Sequence, residues 1–223
     1  MLVLAFDTAT TAVTVALQEW APGEGSRLRA AAHTVDRRHA ELLAPSIAEV
    51  LARGGAVRTD ISAIAVGVGP GPYTGLRVGL ATAHALGTAL RLPVHGVCTL
   101  DAIAWASGRD TPFVVATDAR RKEVYWARYD SARSRAGDVA VGPPDEVVAA
   151  APGLPVLGEG AALYPEVLGA AAGPPLPTAA ALAELAVTRL SGAAGPPLLA
   201  PEPLYLRRPD ARAPGVRKKV SPA

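Results

Sequence analysis

The stretch Val66–Leu90, VGVGPGPYTGLRVGLATAHALGTAL, decides how the rest of the chain reads. Glycine stands at positions 67, 69, 71, 75, 79 and 87. A glycine-rich turn between an apolar run and a helix can hold a phosphate, or it can let two backbones touch. A P-loop needs Lys-Ser/Thr after its last glycine, and Gly75 is followed by Leu76 and Arg77. A G-x-G-x-x-G fingerprint begun at Gly67 meets Pro72 at its third glycine; begun at Gly69 it meets Thr74. Pro70 and Pro72 also remove two backbone donors from any anion cradle. The helical pattern runs from Tyr73 to Arg91 and is stopped by Pro93. Within it Gly75, Gly79, Ala83 and Gly87 recur every fourth residue, a stripe of small side chains on one face. Glycine inside a helix costs about 1 kcal/mol against alanine, so the stripe implies close packing that compensates. Leu76, Leu80, Leu86 and Leu90 make the helix apolar almost all round. Such a helix is covered on two sides, by its own sheet and by a neighbouring helix or a partner chain. A core helix and a subunit interface both satisfy this.

Upstream, Leu2–Phe6, Thr11–Leu17 and Leu28–Thr34 read as strands joined by short links, an antiparallel meander. From Arg38 to Arg53 the period becomes helical, with Leu43, Ile47, Val50 and Leu51 on one stripe and Gly54-Gly55 as the stop. Pro45 inside that pattern predicts a kink or a late start. Ile61–Gly69 is a further buried strand. Downstream come a helix near Leu100–Ala106, a strand at Phe113–Ala119, its hairpin partner Glu123–Asp130, Pro-rich links, and an Ala-rich helix at Thr178–Leu190. Each half carries a strand that ends in an acidic turn, FDTAT and ATDARR, which suggests a duplicated α/β lobe.

The bulk composition removes several function classes. The chain has 223 residues, half of them apolar, and a net charge of +2, so no global polyanion-binding signature exists. Arg207, Arg208, Arg212, Arg217, Lys218 and Lys219 concentrate basic charge near the C-terminus, where a solvated tail is expected. One cysteine, Cys98, excludes an internal disulfide framework and any multi-cysteine metal site. The opening MLVLAFDTAT has no basic n-region, and no run of about 18 apolar residues is free of polar interruption, so a cytoplasmic protein is expected. Four histidines occur without H-E-x-x-H, and no G-x-S-x-G elbow is present. The best polar clusters are Asp7-Thr8 and Asp118–Lys122, each after an apolar strand. In nucleotide-binding lobes such acids hold a metal and such hydroxyls hold phosphate. Strand-end turns closed by local Asx bonds explain the same residues equally well.

LAFDTATTAVTVAL, RRHAELLAPSI, the glycine segment, PVHGVCTLDAIA, VATDARRKEVYWARYD and PEPLYLR together resemble the TsaB (YeaZ) family over nearly the whole chain, in order. The resemblance implies two α/β lobes of the actin/Hsp70/sugar-kinase-like (ribonuclease H-like) type, mixed sheets flanked by helices. It implies an N-terminal lobe over residues 1–103, a C-terminal lobe over 104–210 and a basic tail over 211–223. It further implies a non-catalytic dimerisation and activating subunit that supports a TsaD-type catalytic subunit, with a TsaE-type ATPase acting through the complex, in placing threonylcarbamoyl on N6 of the adenosine next to the anticodon of tRNA. A homodimer in isolation is the alternative pairing, and tRNA contact is indirect. The catalytic paralogue carries an H-x-x-x-H metal pair, and aligning GVCTLDAIA on that segment puts Thr99 and Ile103 at the two positions. Isoleucine cannot ligate a metal and a lone threonine hydroxyl is a poor ligand, so neither metal nor cofactor is expected. The implied interface comprises Leu42, Leu43, Ile47, Gly75, Leu76, Gly79, Leu80, Ala83 and Gly87. Asp7, Thr8, Asp118 and Arg120 then mark a degenerate nucleotide cleft. The competing reading is an ATP-binding, kinase-like enzyme that uses Asp7 and Asp118.

Overall fold

The structure, a computed structural model, describes residues 1–207. The basic tail over 211–223 lies outside the described residues. The first lobe begins with β1 (Leu2–Asp7), β2 (Ala12–Ala21) and β3 (Gly25–Val35), followed by α1 (His39–Arg53), β4 (Ala63–Gly67), α2 (Tyr73–Leu90), β5 (Val94–Val97) and α3 (Thr99–Ser107). The second contains β6 (Phe113–Asp118), β7 (Val124–Ser131), β8 (Ser134–Gly142), α4 (Pro144–Ala150), β9 (Val156–Leu157), α5 (Glu159–Leu163) and α6 (Pro165–Leu168), and the chain then forms α7 (Ala179–Leu190) against the first lobe.

The first sheet has the order β3-β2-β1-β4-β5. β1 pairs antiparallel with β2 and parallel with β4, and β5 continues parallel to β4. The expected meander is therefore present as β1–β3, and two crossover helices add the parallel strands, the ribonuclease H-like arrangement. The second sheet is also mixed, with the order β8-β7-β6-β9 and β9 parallel to β6. The α/β two-lobe architecture thus stands as the sequence implied.

The two faces of the first sheet are covered by different partners. Leu4, Phe6, Val13, Val15 and Leu17 face α1 and α2, where Leu43, Ile47, Val50, Leu80 and Ala83 meet them. Val3, Ala5, Ala16, Ala63 and Ala65 face the other way, against α3 and α7. The helix α7 comes late in the chain but returns to the first sheet, and the Ala179 N–H donates to Thr14 Oγ1 at 2.9 Å. Its N-cap is Thr178, whose hydroxyl accepts from the Ala181 N–H. The division expected after residue 103 falls inside α3, which packs on α7 with Ala102 and Trp105 and on the second sheet with Leu100, Ile103 and Ala104.

Pro45 neither delays nor ends α1, which runs unbroken from His39. The residue is exposed, so the carbonyl it leaves free at Glu41 meets water. Gly54 caps α1 and Gly55 takes φ 62°; α2 ends one residue earlier than its pattern suggests, with Arg91 in the left-handed conformation. β8 was not anticipated: its SRAGDVAVG sequence alternates weakly and lies at a sheet edge, where burial imposes little pattern. No helix among the described residues is long and apolar enough to cross a membrane.

Candidate functional site: a closed cleft and an open helix pair

Asp7 ends β1 and is fully buried. Its Oδ1 accepts from the Ala9 N–H at 2.6 Å and its Oδ2 accepts from the Thr99 hydroxyl at 2.7 Å. A Cβ on Gly67 would collide with the same carboxylate, so β4 closes the remaining side. Burial pushes the Asp7 carboxyl above the usual carboxylate range, against the lowering effect of the bonds from Thr99 and Ala9. Thr8 is equally buried, and its hydroxyl donates to the Gly75 carbonyl at 2.8 Å, pinning the first turn of α2. These two residues fasten the turn after β1 to α2 and α3.

Asp118 occupies the matching place at the end of β6. Its Oδ1 accepts from the Arg120 N–H at 2.7 Å, the same i+2 turn that Asp7 makes. Its Oδ2 pairs with the Arg120 guanidinium at 2.8 Å, and its N–H donates to Glu159 at 3.4 Å. Burial raises the Glu159 carboxyl. Arg120, Arg121 and Lys122 all lie in the left-handed region, φ 61°, 57° and 61°. Three such residues in a row cost roughly 1–2 kcal/mol each, so their neighbours must hold the turn. The structure therefore gathers the four expected cleft residues as two separate clusters, Asp7 with Thr8 and Asp118 with Arg120. Both are Asx turns at strand ends.

The positions aligned with a histidine pair are filled otherwise. Thr99 is fully buried and spends its hydroxyl on Asp7; Ile103 is fully buried in the core beneath the second sheet. Among the described residues no group of three His, Cys, Asp or Glu side chains stands close enough to hold a metal ion. Cys98 is buried, and burial pushes its thiol far above the range in which thiolates form, as expected for an inert cysteine.

One polar network gave no motif to find. Asp101 on α3 is 1% exposed. It accepts from the Tyr129 hydroxyl at 2.7 Å and from Arg135 at 3.1 Å to each oxygen. Tyr129 stacks on Phe113 with ring centroids 5.2 Å apart. Burial raises the Asp101 carboxyl and the Tyr129 hydroxyl, while Arg135 opposes both shifts. This network bolts α3, and with it the first lobe, to the second sheet. An aspartate, a tyrosine and an arginine 28 and 34 residues away form no recognisable spacing.

The glycine stripe packs within the chain. Gly75, Gly79 and Gly87 are buried against the chain's own interior. A Cβ on Gly75 would strike the Thr8 carbonyl, one on Gly79 would stand 2.5 Å from Thr8 Oγ1, and one on Gly87 would strike Val94. Leu43, Ile47, Leu76, Leu80 and Ala83 are buried as well, and Leu42 is half-buried against the same core. The physical reason is the short link after β1, which brings the Asp7–Thr8 turn directly beneath α2. What faces outward is the opposite side of the helix pair. Ala44, Ala48 and Ala52 of α1 and Thr82 and Leu86 of α2 line a groove of about 680 Å³, floored by Ile47 and Leu51 and carrying a single charge, Arg58. Ala81, Ala85 and Ala89 extend the exposed face of α2.

Residues 32–167 match the family described as TsaD: tRNA N6-adenosine threonylcarbamoyltransferase. The chain is 50% identical over 147 residues to an uncharacterized protein of Mycobacterium leprae, an alignment that covers 66% of this chain and 40% of that protein. It is 40% identical over 132 residues to the tRNA threonylcarbamoyladenosine biosynthesis protein TsaB of Escherichia coli, covering 58% of this chain and 55% of that one. The chain thus spans about half or less of the length of these two relatives. The solved structure of YeaZ from Pseudomonas aeruginosa superposes with a TM-score of 0.77 at 30% identity, covering 92% of this chain and 99% of that one. With the matched family region, the named relatives and a fold shared over the full length of YeaZ, the chain belongs to the TsaB (YeaZ) family.

Proposed function

We propose that this chain serves tRNA threonylcarbamoyladenosine formation as a non-catalytic subunit that docks on and activates a TsaD-type catalytic subunit. The observation that carries the reading is the apolar groove between α1 and α2, nearly free of charge and bordered by alanines that let another helix pair approach. Small, apolar, low-entropy side chains on two adjacent helices suit helix-on-helix association. The state of the cleft supports a non-catalytic role. Both oxygens of Asp7 are engaged, and the two positions where the paralogue carries histidines hold a hydroxyl spent on Asp7 and a core isoleucine. The same face serves a second copy of this chain when the partner is absent. A TsaE-type ATPase then acts through the assembled pair, tRNA is met by the complex, and the work is cytoplasmic.

The test is light scattering on a sizing column, for this chain alone and mixed with the TsaD-type protein of the same organism. A mixed species of summed mass is expected. Ala48→Arg, which puts a guanidinium into the groove, is expected to abolish that species and to leave the melting temperature nearly unchanged, because Ala48 is exposed. Full binding by this variant, or two separate peaks for the wild-type mixture at all salt concentrations, would overturn the reading.

A further inference from the structure

The segment Leu199–Arg207 runs from one lobe to the other. It begins as a one-residue antiparallel bridge on β5: the Gly96 N–H donates to the Leu199 carbonyl at 2.9 Å and the Leu199 N–H returns a bond at 2.8 Å. A Cβ at Gly96 would strike the Ala200 carbonyl and stand 2.7 Å from Val68 Cγ1, so this glycine is the seat on which the segment lies. The Leu204 N–H then donates to the Val68 carbonyl at 2.8 Å. Leu199 and Leu204 pack against the core of the first lobe and also against the core beneath the second sheet. They fill the apolar space between the lobes.

Two contacts fix the segment to α2. His84 Nε2 stands 2.9 Å from the Pro201 carbonyl and donates to it. The Tyr205 ring stacks on Tyr73 with centroids 5.5 Å apart, and the Arg77 guanidinium lies over the Tyr73 ring at 3.8 Å. At its far end the segment holds the second lobe. Arg207 donates to the Ala119 carbonyl at 2.9 Å and pairs with Glu123. Those two residues flank the left-handed turn Arg120–Lys122 and are bonded to each other, Ala119 N–H to the Glu123 carbonyl.

We propose that Leu199–Arg207 is a strap through which docking on α2 is transmitted to the β6–β7 hairpin of the second lobe. The inference rests on α2 being the docking helix. Tyr73 and Tyr205 are 47% and 44% exposed in the free chain, and His84, about three turns further along the same edge of α2, is exposed as well. Tyr73 and His84 lie on the edge of α2 opposite the groove, so a partner seated in the groove must reach across the exposed face of Ala81, Ala85 and Ala89 to cover them; one that does shields the stack and the His84 bond from water, which favours the closed strap over the released one. The closed strap in turn holds Ala119 and Glu123, so the hairpin tightens although the partner never touches it. The glycine seat, the two leucines that reach both cores and the ion pair at the hairpin are what make the transmission mechanical.

Amide hydrogen exchange of the intact chain tests this, free and saturated with the TsaD-type protein, for wild type and Tyr205→Ala. In the free chain, losing the stack is expected to raise exchange about 2- to 10-fold at Leu199 and Leu204 and also at Ala119 and Glu123. On complex formation, wild type is expected to slow exchange at Ala119 and Glu123 several-fold, and Tyr205→Ala to bind without that slowing. If the partner protects α2 and the hairpin amides do not change, transmission is refuted while the docking reading stands. If no complex forms, the docking reading fails, and the free-chain comparison decides the strap by itself: faster exchange confined to residues 199–207 overturns it. His84→Ala, which removes the other hold on α2, serves as the second variant and is expected to reproduce the free-chain effect.

Discussion

Replacing Gly79 by alanine sets two effects of known size against each other. Alanine in place of a helix-interior glycine stabilises by about 1 kcal/mol through backbone entropy. The new methyl group, however, would stand 2.5 Å from Thr8 Oγ1, a contact that must give way. Thr8 is 1% exposed, and its hydroxyl is held by the Gly75 carbonyl, so it cannot swing into solvent. Overpacking of this kind costs about 1–3 kcal/mol, and losing the Thr8–Gly75 bond adds about 1 kcal/mol. The net expectation is a loss of about 1–3 kcal/mol, which for a chain of this size lowers the melting temperature by roughly 3–9 °C. Thr8→Ala removes the colliding oxygen; the next neighbour of the new methyl is then Val66 Cγ2 at an ordinary 3.6 Å. In the Thr8→Ala background the same Gly79→Ala change is therefore expected to be neutral or stabilising. Urea titration of the four members of the cycle measures the coupling. If Gly79→Ala raises stability in the wild-type background, or if the two changes simply add, α2 does not lie on Thr8 as described and the stripe is free to serve another chain.

Other consequences follow from the buried polar groups. Asp101→Ala leaves the Arg135 guanidinium, only 16% exposed, without its carboxylate, and is expected to cost about 3–5 kcal/mol, whereas Tyr129→Phe removes one hydrogen bond and is expected to cost about 1 kcal/mol; urea midpoints separate the two. Asp7 has its folded-state carboxyl raised above 3.8 by burial, so between 3.8 and that higher value the folded chain binds more protons than the unfolded one. The contribution of this group to stability is then complete below 3.8 and is lost as pH rises through the folded value. Relative to wild type, Asp7→Asn is accordingly expected to gain stability as pH is raised from 4 to 7, and denaturant titrations at the two pH values check the sign; a constant difference would mean that Asp7 ionises as easily folded as unfolded.

The parts of this molecule that its sequence discloses are those in which one residue's neighbours in space are also its neighbours in sequence. The meander, α1 with its Gly54-Gly55 stop, α2 and the hairpin of β6 and β7 are all set by local periodicity and turn chemistry. β8 was hidden because an edge strand half in water needs no alternation, and the return of α7 to the first sheet because an Ala-rich stripe specifies close packing without specifying on what. The glycine stripe is ambiguous in the same way and for the same reason. Spacing by four says that something approaches α2 closely; it does not say whether the visitor is a partner helix or the turn after β1. The one local clue is the polarity of Asp7-Thr8: a hydroxyl at the end of a buried strand needs an acceptor, and here it takes the Gly75 carbonyl. With the small residues packed inside, the docking proposed above uses the other face of the helix pair. That face is short-chained and nearly uncharged over the groove, with Ala44, Ala48, Ala52 and Leu86 where a solvated helix would carry Lys or Glu. An exposed apolar groove offers the surface that the proposed docking requires, whereas each buried glycine already has its neighbour within the chain.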